Sequence, residues 1–168
     1  ILNQPQAGRA TLIESPTGIT VSTITTATIR ISADGEFYNL TNPDAGNNSG
    51  INFKYSPNGG IQENLRGYSQ QNYWEIPGLT PNTTYTFSAV TKNWDGTPNS
   101  WIPYTSTTAT RIESPTSIEF TVSTVTIQAR AVFASGPTNL TIGQSGIKLV
   151  RGTSILPDDD IEYIQSFF

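Results

Sequence analysis

Leu79-Thr80-Pro81-Asn82-Thr83-Thr84-Tyr85-Thr86-Phe87-Ser88-Ala89 is the stretch that decides the fold. From Thr83 to Asn93, Tyr85, Phe87 and Ala89 alternate with Thr and Ser. Successive side chains on a strand point to opposite faces, so this alternation predicts the longest strand of the chain, buried on one side. Pro77-Gly78-Leu79-Thr80-Pro81 runs into it. Two prolines cannot sit inside a central strand, so this segment is expected to cross between two sheets. Tyr73 to Ile76 before it reads as a strand with Trp74 and Ile76 on one face and Glu75 outward. Asp95-Gly96 after it marks a tight turn, and Trp101 to Thr110 is expected to return as the last strand.

Working outward, Ile51, Phe53 and Tyr55 share one face of a strand over Ile51–Ser56, closed by the turn Pro57-Asn58-Gly59-Gly60. Gly18 to Ala33 alternates, with Ala27, Ile29 and Ile31 facing one way and Thr28, Arg30 and Ser32 the other. Asp34 to Gly50, with Asn42-Pro43 and several Gly and Asn, reads as a loop. Ile1 to Ser15 reads as an extended, proline-broken linker followed by a short strand, and Ile61 to Gln71 has no regular period. No segment sustains a 3.6-residue period, so the chain is expected to be all-β.

The chain also repeats itself. Ile13-Glu14-Ser15-Pro16-Thr17 recurs as Ile112-Glu113-Ser114-Pro115-Thr116, an offset of 99 residues. Ala10-Thr11 and Ala109-Thr110 precede the copies; Thr20 to Thr23 and Thr121 to Thr124 follow them. Asn39-Leu40-Thr41 answers Asn139-Leu140-Thr141, and Ser49-Gly50-Ile51 answers Ser145-Gly146-Ile147. A period near 100 residues is too long for a solenoid and suits tandem β-sandwich modules.

The pattern Leu79-x-Pro81-x-Thr83-x-Tyr85-x-Phe87-x-Ala89, followed by Asn93 and Gly96, resembles the corner and following strand of a fibronectin type III domain. The resemblance implies an immunoglobulin-like β-sandwich in which Leu79 plugs one end. Pro81 then fixes the crossing, and Tyr85 buries its ring and turns its hydroxyl onto the crossover backbone. It covers roughly 15–108 as a full module. Residues 1–14 are then a linker or strand, and 109–168 the first part of a second copy. The family places a Trp at the sandwich centre on the second strand. Here that region offers Ile29 and Ile31, and Trp74 is expected to fill the space. Nothing after Val150 repeats the Leu-Pro-Tyr corner, and Ile161 to Phe168 stands where a further strand would start. A partial sandwich leaves sheet edges open. A strand from another copy, with Ile1-Leu2 or Ile161 to Phe168 as donor, would close them and, repeated head to tail, build a filament. A natural chain running on past Phe168 would serve equally.

Composition narrows the function. Of 168 residues only 13% are charged, the net charge is −4, and no basic cluster offers a nucleic-acid footprint. Cys, Met and His are absent, which removes disulfides, thiol nucleophiles and the usual zinc, haem or iron–sulfur ligands. No apolar run is long enough for a membrane helix. The chain opens on Ile1 rather than Met, as a processed N-terminus or fragment boundary would, and its Thr-, Ser-, Asn- and Gly-rich surface suggests an extracellular or cell-surface protein.

Trp94, Trp101 and Tyr104 bracket the turn before the last strand, where they would either stack on sugars or anchor a partner, or pack on the module rim. Asp158-Asp159-Asp160 and Asp44 to Ser49 are oxygen-rich, but both read more simply as solvated turns than as calcium loops. Sequons begin at Asn39, Asn47, Asn82 and Asn139. No carboxylate sits in a catalytic motif, and a Ser nucleophile would lack a His base. The reading is therefore a cofactor-free, non-catalytic structural or assembly module whose partners are neighbouring modules or copies of itself. The alternatives are an accessory spacer or carbohydrate-binding module of a secreted polysaccharide-degrading enzyme, and an adhesin.

Overall fold

The computed structural model describes residues 11–38, 40, 49–58, 60, 63–135, 140, 145–147 and 149. Every regular element among them is a strand. β1 (Gly18–Ile24), β2 (Ile29–Asp34) and β5 (Tyr73–Ile76) form one antiparallel sheet in the order β1-β2-β5. The facing sheet contains β3 (Gly50–Pro57), β4 (Asn64–Leu65), β6 (Thr84–Lys92), β7 (Ile102–Pro103) and β8 (Thr108–Ala109). Its order is β4-β3-β6, with β7 and β8 both pairing with β6. The alternation seen in the sequence puts Ile29, Ile31, Ile51, Phe53, Ile76, Phe87 and Ala89 between the two sheets, all essentially without solvent contact. Each large side chain so buried contributes about 1.5–3 kcal/mol.

The sandwich centre is held by Ile29 and Ile31 themselves. Trp74 pairs with Ile31 across β2 and β5 but stays half-buried on the flank of the core, its ring 5.4 Å from that of Tyr55. Tyr85 closes the end of the module as the sequence implies. Its ring is buried and its hydroxyl accepts the Thr80 N–H at 2.9 Å. Leu79 is buried beside it, and its N–H donates to the Ala27 carbonyl at 2.9 Å, tying the crossing to the β1–β2 turn.

Two expected strands break. Gly18 to Ala33 divides at Thr25–Thr28, where the two hydroxyls lie 2.6 Å apart and the Thr25 N–H reaches the Thr28 carbonyl at 2.9 Å. Ala27 therefore sits half-buried in a turn instead of on the Ile29–Ile31 face. Threonine favours strands, yet its hydroxyl also caps turns, and here the capping role wins. Thr23, at φ +46°, forms a bulge between Ser22 and Ile24. The return from Trp101 to Thr110 is likewise interrupted between β7 and β8. The register shifts by two residues between Ser88↔Pro103 and Tyr85↔Thr108, just past Pro103, which has no N–H to give. The strand reading of Tyr73–Ile76, of β3 and of β6 holds to within a residue or two.

β9 (Ser117–Val122) and β10 (Ile127–Val132) make a separate two-stranded hairpin. It reproduces both ends of the β1–β2 hairpin. Thr116 N–H donates to the Val132 carbonyl as Thr17 does to Asp34, and Ser123 closes on Thr126 as Thr25 does on Thr28. Its pairing is continuous, so the offset between the copies falls from 99 to 98 where the first copy carries Thr23.

Candidate functional site

Trp94, Trp101 and Tyr104 divide between surface and core. Trp94 occupies the turn after β6. That turn is built by Asn93, whose side-chain oxygen accepts the Thr97 N–H at 2.8 Å, and by Gly96 at φ +81°. Trp101 lies beside β7 with the Lys54 ammonium 4.8 Å from its ring centroid, and Lys54 in turn pairs with Glu63 at 2.7 Å. Trp94 and Trp101 are each 36% exposed. Tyr104 turns the other way and packs on the core, 6.1 Å from Phe87. The trio is thus two partly exposed indoles and one core-flanking phenol.

The side chain that does organise a site was hidden in the irregular stretch. Arg66 lies half-buried at the open side of the sandwich, its guanidinium 4.8 Å from the Phe53 ring centroid. It donates to the Tyr73 carbonyl on one sheet and, at 2.7 Å, to the Ile51 carbonyl on the other, with Gln71 O at 3.0 Å. One planar fork with five donors thereby staples the two sheets through backbone acceptors. Burial holds its pKa below the usual arginine value. Nearby cations also lie over rings, Arg30 on Tyr73 at 4.0 Å and Lys92 on Tyr68 at 4.2 Å.

Burial raises the phenol pKa of Tyr55, with Tyr85 adding to it, and burial raises that of Tyr68. A raised folded-state value contributes stability that is complete below the unfolded value near 10 and lost as pH climbs through the folded one. The urea midpoint is accordingly expected to fall above pH about 10. Tyr55→Phe should flatten that fall when the midpoint is followed against tyrosinate absorbance.

Polar side chains fix both poles of the module. At one pole Thr91 Oγ1, Asn93 Nδ2 and Asn99 Nδ2 donate to the carbonyls of Glu14, Thr11 and Ile13 at 2.8, 3.1 and 2.7 Å. At the other, the buried Thr110 hydroxyl donates to the Thr80 carbonyl at 2.6 Å and accepts the Thr83 N–H at 3.1 Å. Arg111 gives its N–H to Thr25 and takes that of Asn82. Hydrogen bonding to the module therefore runs beyond both ends of 15–108. Asn82, at φ +47°, reaches Ser145 Oγ at 3.1 Å, a contact from the corner to the second repeat. Thr110→Val keeps the shape and takes the hydroxyl partner from two partly buried backbone groups, the Thr80 carbonyl and the Thr83 N–H, and is expected to cost about 1–2 kcal/mol in a urea unfolding experiment.

Other expectations fall elsewhere. Ile1-Leu2, Asp44 to Asn48, Asp158 to Asp160, Ile161 to Phe168 and the sequon residues Asn39, Asn47 and Asn139 lie outside the described residues. Among the described residues no group of three or more Asp and Glu is placed to hold a metal ion, and no helix is long and apolar enough to cross a membrane. Glu75 is exposed, and Glu14 takes the Tyr38 N–H at 3.4 Å.

Three strands (β1, β2, β5) facing β4-β3-β6 with β7 and β8, closed by the Tyr85 hydroxyl on the crossing, define a fibronectin type III-like β-sandwich. No protein-family model and no curated protein matches the chain. Solved structures similar to it include domains A168–A170 from titin, at 17% identity and a TM-score of 0.45, over 57% of this chain and 31% of that one. The chain thus spans less than a third of that titin fragment. FN3tt is similar at 17% identity and a TM-score of 0.45, over 61% of this chain and 98% of that one. A computer-redesigned β-sandwich protein is similar at 20% and 0.44, over 58% and 90%.

Proposed function

We propose that this chain is a non-catalytic spacer and assembly unit of an extracellular, surface-attached or filament-forming protein. The observation that carries this reading is the joint between the repeats. Ala109, Thr110 and Arg111 are bonded to the first module, and the repeated linker passes from them to β9 with Asn82 bonded across to Ser145. A link anchored to the first module over its opening residues, Ala109 to Arg111, has less freedom to swing, which is what a spacer requires. The low charge and the Thr-, Asn- and Gly-rich composition agree with an exposed, chemically quiet rod. Limited trypsin digestion tests the joint, because Arg111 is a cleavage site whose N–H and C=O are both hydrogen-bonded. Cleavage there should be slower than in a Thr110→Ala variant; rapid cleavage of the parent after Arg111 would refute a stiff joint. The partly exposed Trp94 and Trp101 support the carbohydrate-binding and adhesin readings instead. Binding to a polysaccharide panel that disappears in Trp101→Ala would promote them.

A further inference from the structure

The β9–β10 hairpin presents one face on which every side chain is apolar. Paired across the strands, these are Ile118 with Ala131, Phe120 with Ala129, and Val122 with Ile127. Their counterparts in the first module are Ile19 with Ala33, Val21 with Ile31, and Ile24 with Ile29. That first set is covered by the facing sheet: Ile29 and Ile31 are fully buried, while Ile118, Phe120, Val122 and Ile127 are 51–72% exposed. The face carries no charge; Glu119 and Arg130 pair with each other at 2.8 Å on the opposite side. Burying it therefore desolvates no ion.

Its relief is uneven. β9 contributes the bulky Phe120 beside Ile118, and directly across from Phe120 on β10 stands the small, exposed Ala129, while Ala131, across from Ile118, is already buried. A ridge lies beside a trough on the same small sheet. Two such faces related by a two-fold axis can each set the ridge of one into the trough of the other, which is the self-complementarity an isologous interface needs. The first module lacks this relief, because the trough position opposite Val21 is filled by Ile31.

We infer that the β9–β10 face is the docking surface for a second copy of this chain, two hairpins packing face to face as a small sandwich with Phe120 over the partner copy's Ala129. The patch amounts to roughly 500 Å² of apolar surface per copy, at the size where exposed patches mark interaction sites. The pair therefore buries on the order of 1,000 Å², the lower bound for a specific interface, so the dimer is weak and concentration-dependent. The inference deepens the assembly reading and rests on it.

Sedimentation equilibrium of the full 168-residue chain over a wide concentration range tests it. The parent should move from monomer to dimer. Phe120→Asp and Ala129→Arg should each shift that transition upward by at least tenfold in concentration, and Thr121→Asp on the opposite face should leave it in place. The melting transition of the first module reports folding and should be the same in all four proteins. Association that persists in Phe120→Asp and Ala129→Arg would refute this face while leaving assembly intact. Loss in Thr121→Asp as well would point to edge pairing and also overturn it. A parent that stays monomeric throughout would remove both this interface and the assembly reading.

Discussion

Tyr85→Ala is expected to be the most damaging single substitution, lowering stability by about 3–5 kcal/mol. Three contributions combine there. The ring is buried against the Tyr55 ring at 5.9 Å, so truncation opens a cavity under the crossing. The hydroxyl's bond to the Thr80 N–H disappears, leaving a partly buried donor without its partner. Leu79, which shares the plug and is tied to Ala27, loses its support. Tyr85→Phe separates the contributions. It keeps the ring and removes only the acceptor, for about 1–3 kcal/mol. Urea unfolding of both variants reads the two numbers. A Tyr85→Phe midpoint equal to the parent's would mean that the hydroxyl does not stabilise the corner.

Arg66→Met should follow, at about 2–4 kcal/mol, because hydrogen bonds from a charged donor are worth more than neutral ones and several are lost together. Methionine retains the apolar stem over Phe53, so the loss isolates the fork that reaches Tyr73, Ile51 and Gln71. Arg66→Lys should recover only part of it, since an ammonium cannot span carbonyls on two sheets in one plane. The deficit should be constant from pH 5 to 9, because the guanidinium stays charged throughout that range. Full rescue by Lys would show that charge alone, without geometry, holds the sheets together there.

These two residues also show what the sequence makes legible. The Tyr85 corner is local: alternation, a proline and a leucine within eleven positions determine where the ring and the hydroxyl go. The core of β2, β3, β5 and β6 follows from the same two-residue period. Arg66 has no such signature. Its acceptors are main-chain carbonyls between five and fifteen residues away, and a carbonyl looks alike under any side chain. Thr25 and Thr28 misled in another way, because one residue type serves both strand and turn and the choice depends on which hydroxyls meet. The break after Pro103 did have a local sign, the missing N–H together with Ser106 and Thr107, but two short pairings on one edge of β6 are a tertiary outcome. As for Trp94, Trp101 and Tyr104, sequence placed them near one turn but could not say that Tyr104 faces the core while Trp101 lies against Lys54.

Two hairpins this alike are at risk of exchanging places while the chain folds, since β9–β10 could enter the sandwich that β1–β2 completes. The Thr23 bulge and the exchange of Val21 and Ile31 for Phe120 and Ala129 work against it. Were β9–β10 to take the place of β1–β2 under the Ile51–Phe53 sheet, Ala129 would leave a hole where Ile31 belongs, costing about 2–5 kcal/mol. Phe120 would meanwhile be forced into the space of Val21, with a further penalty of about 1–3 kcal/mol. One inserted residue and one pair of traded volumes thus make the two hairpins poor substitutes for one another.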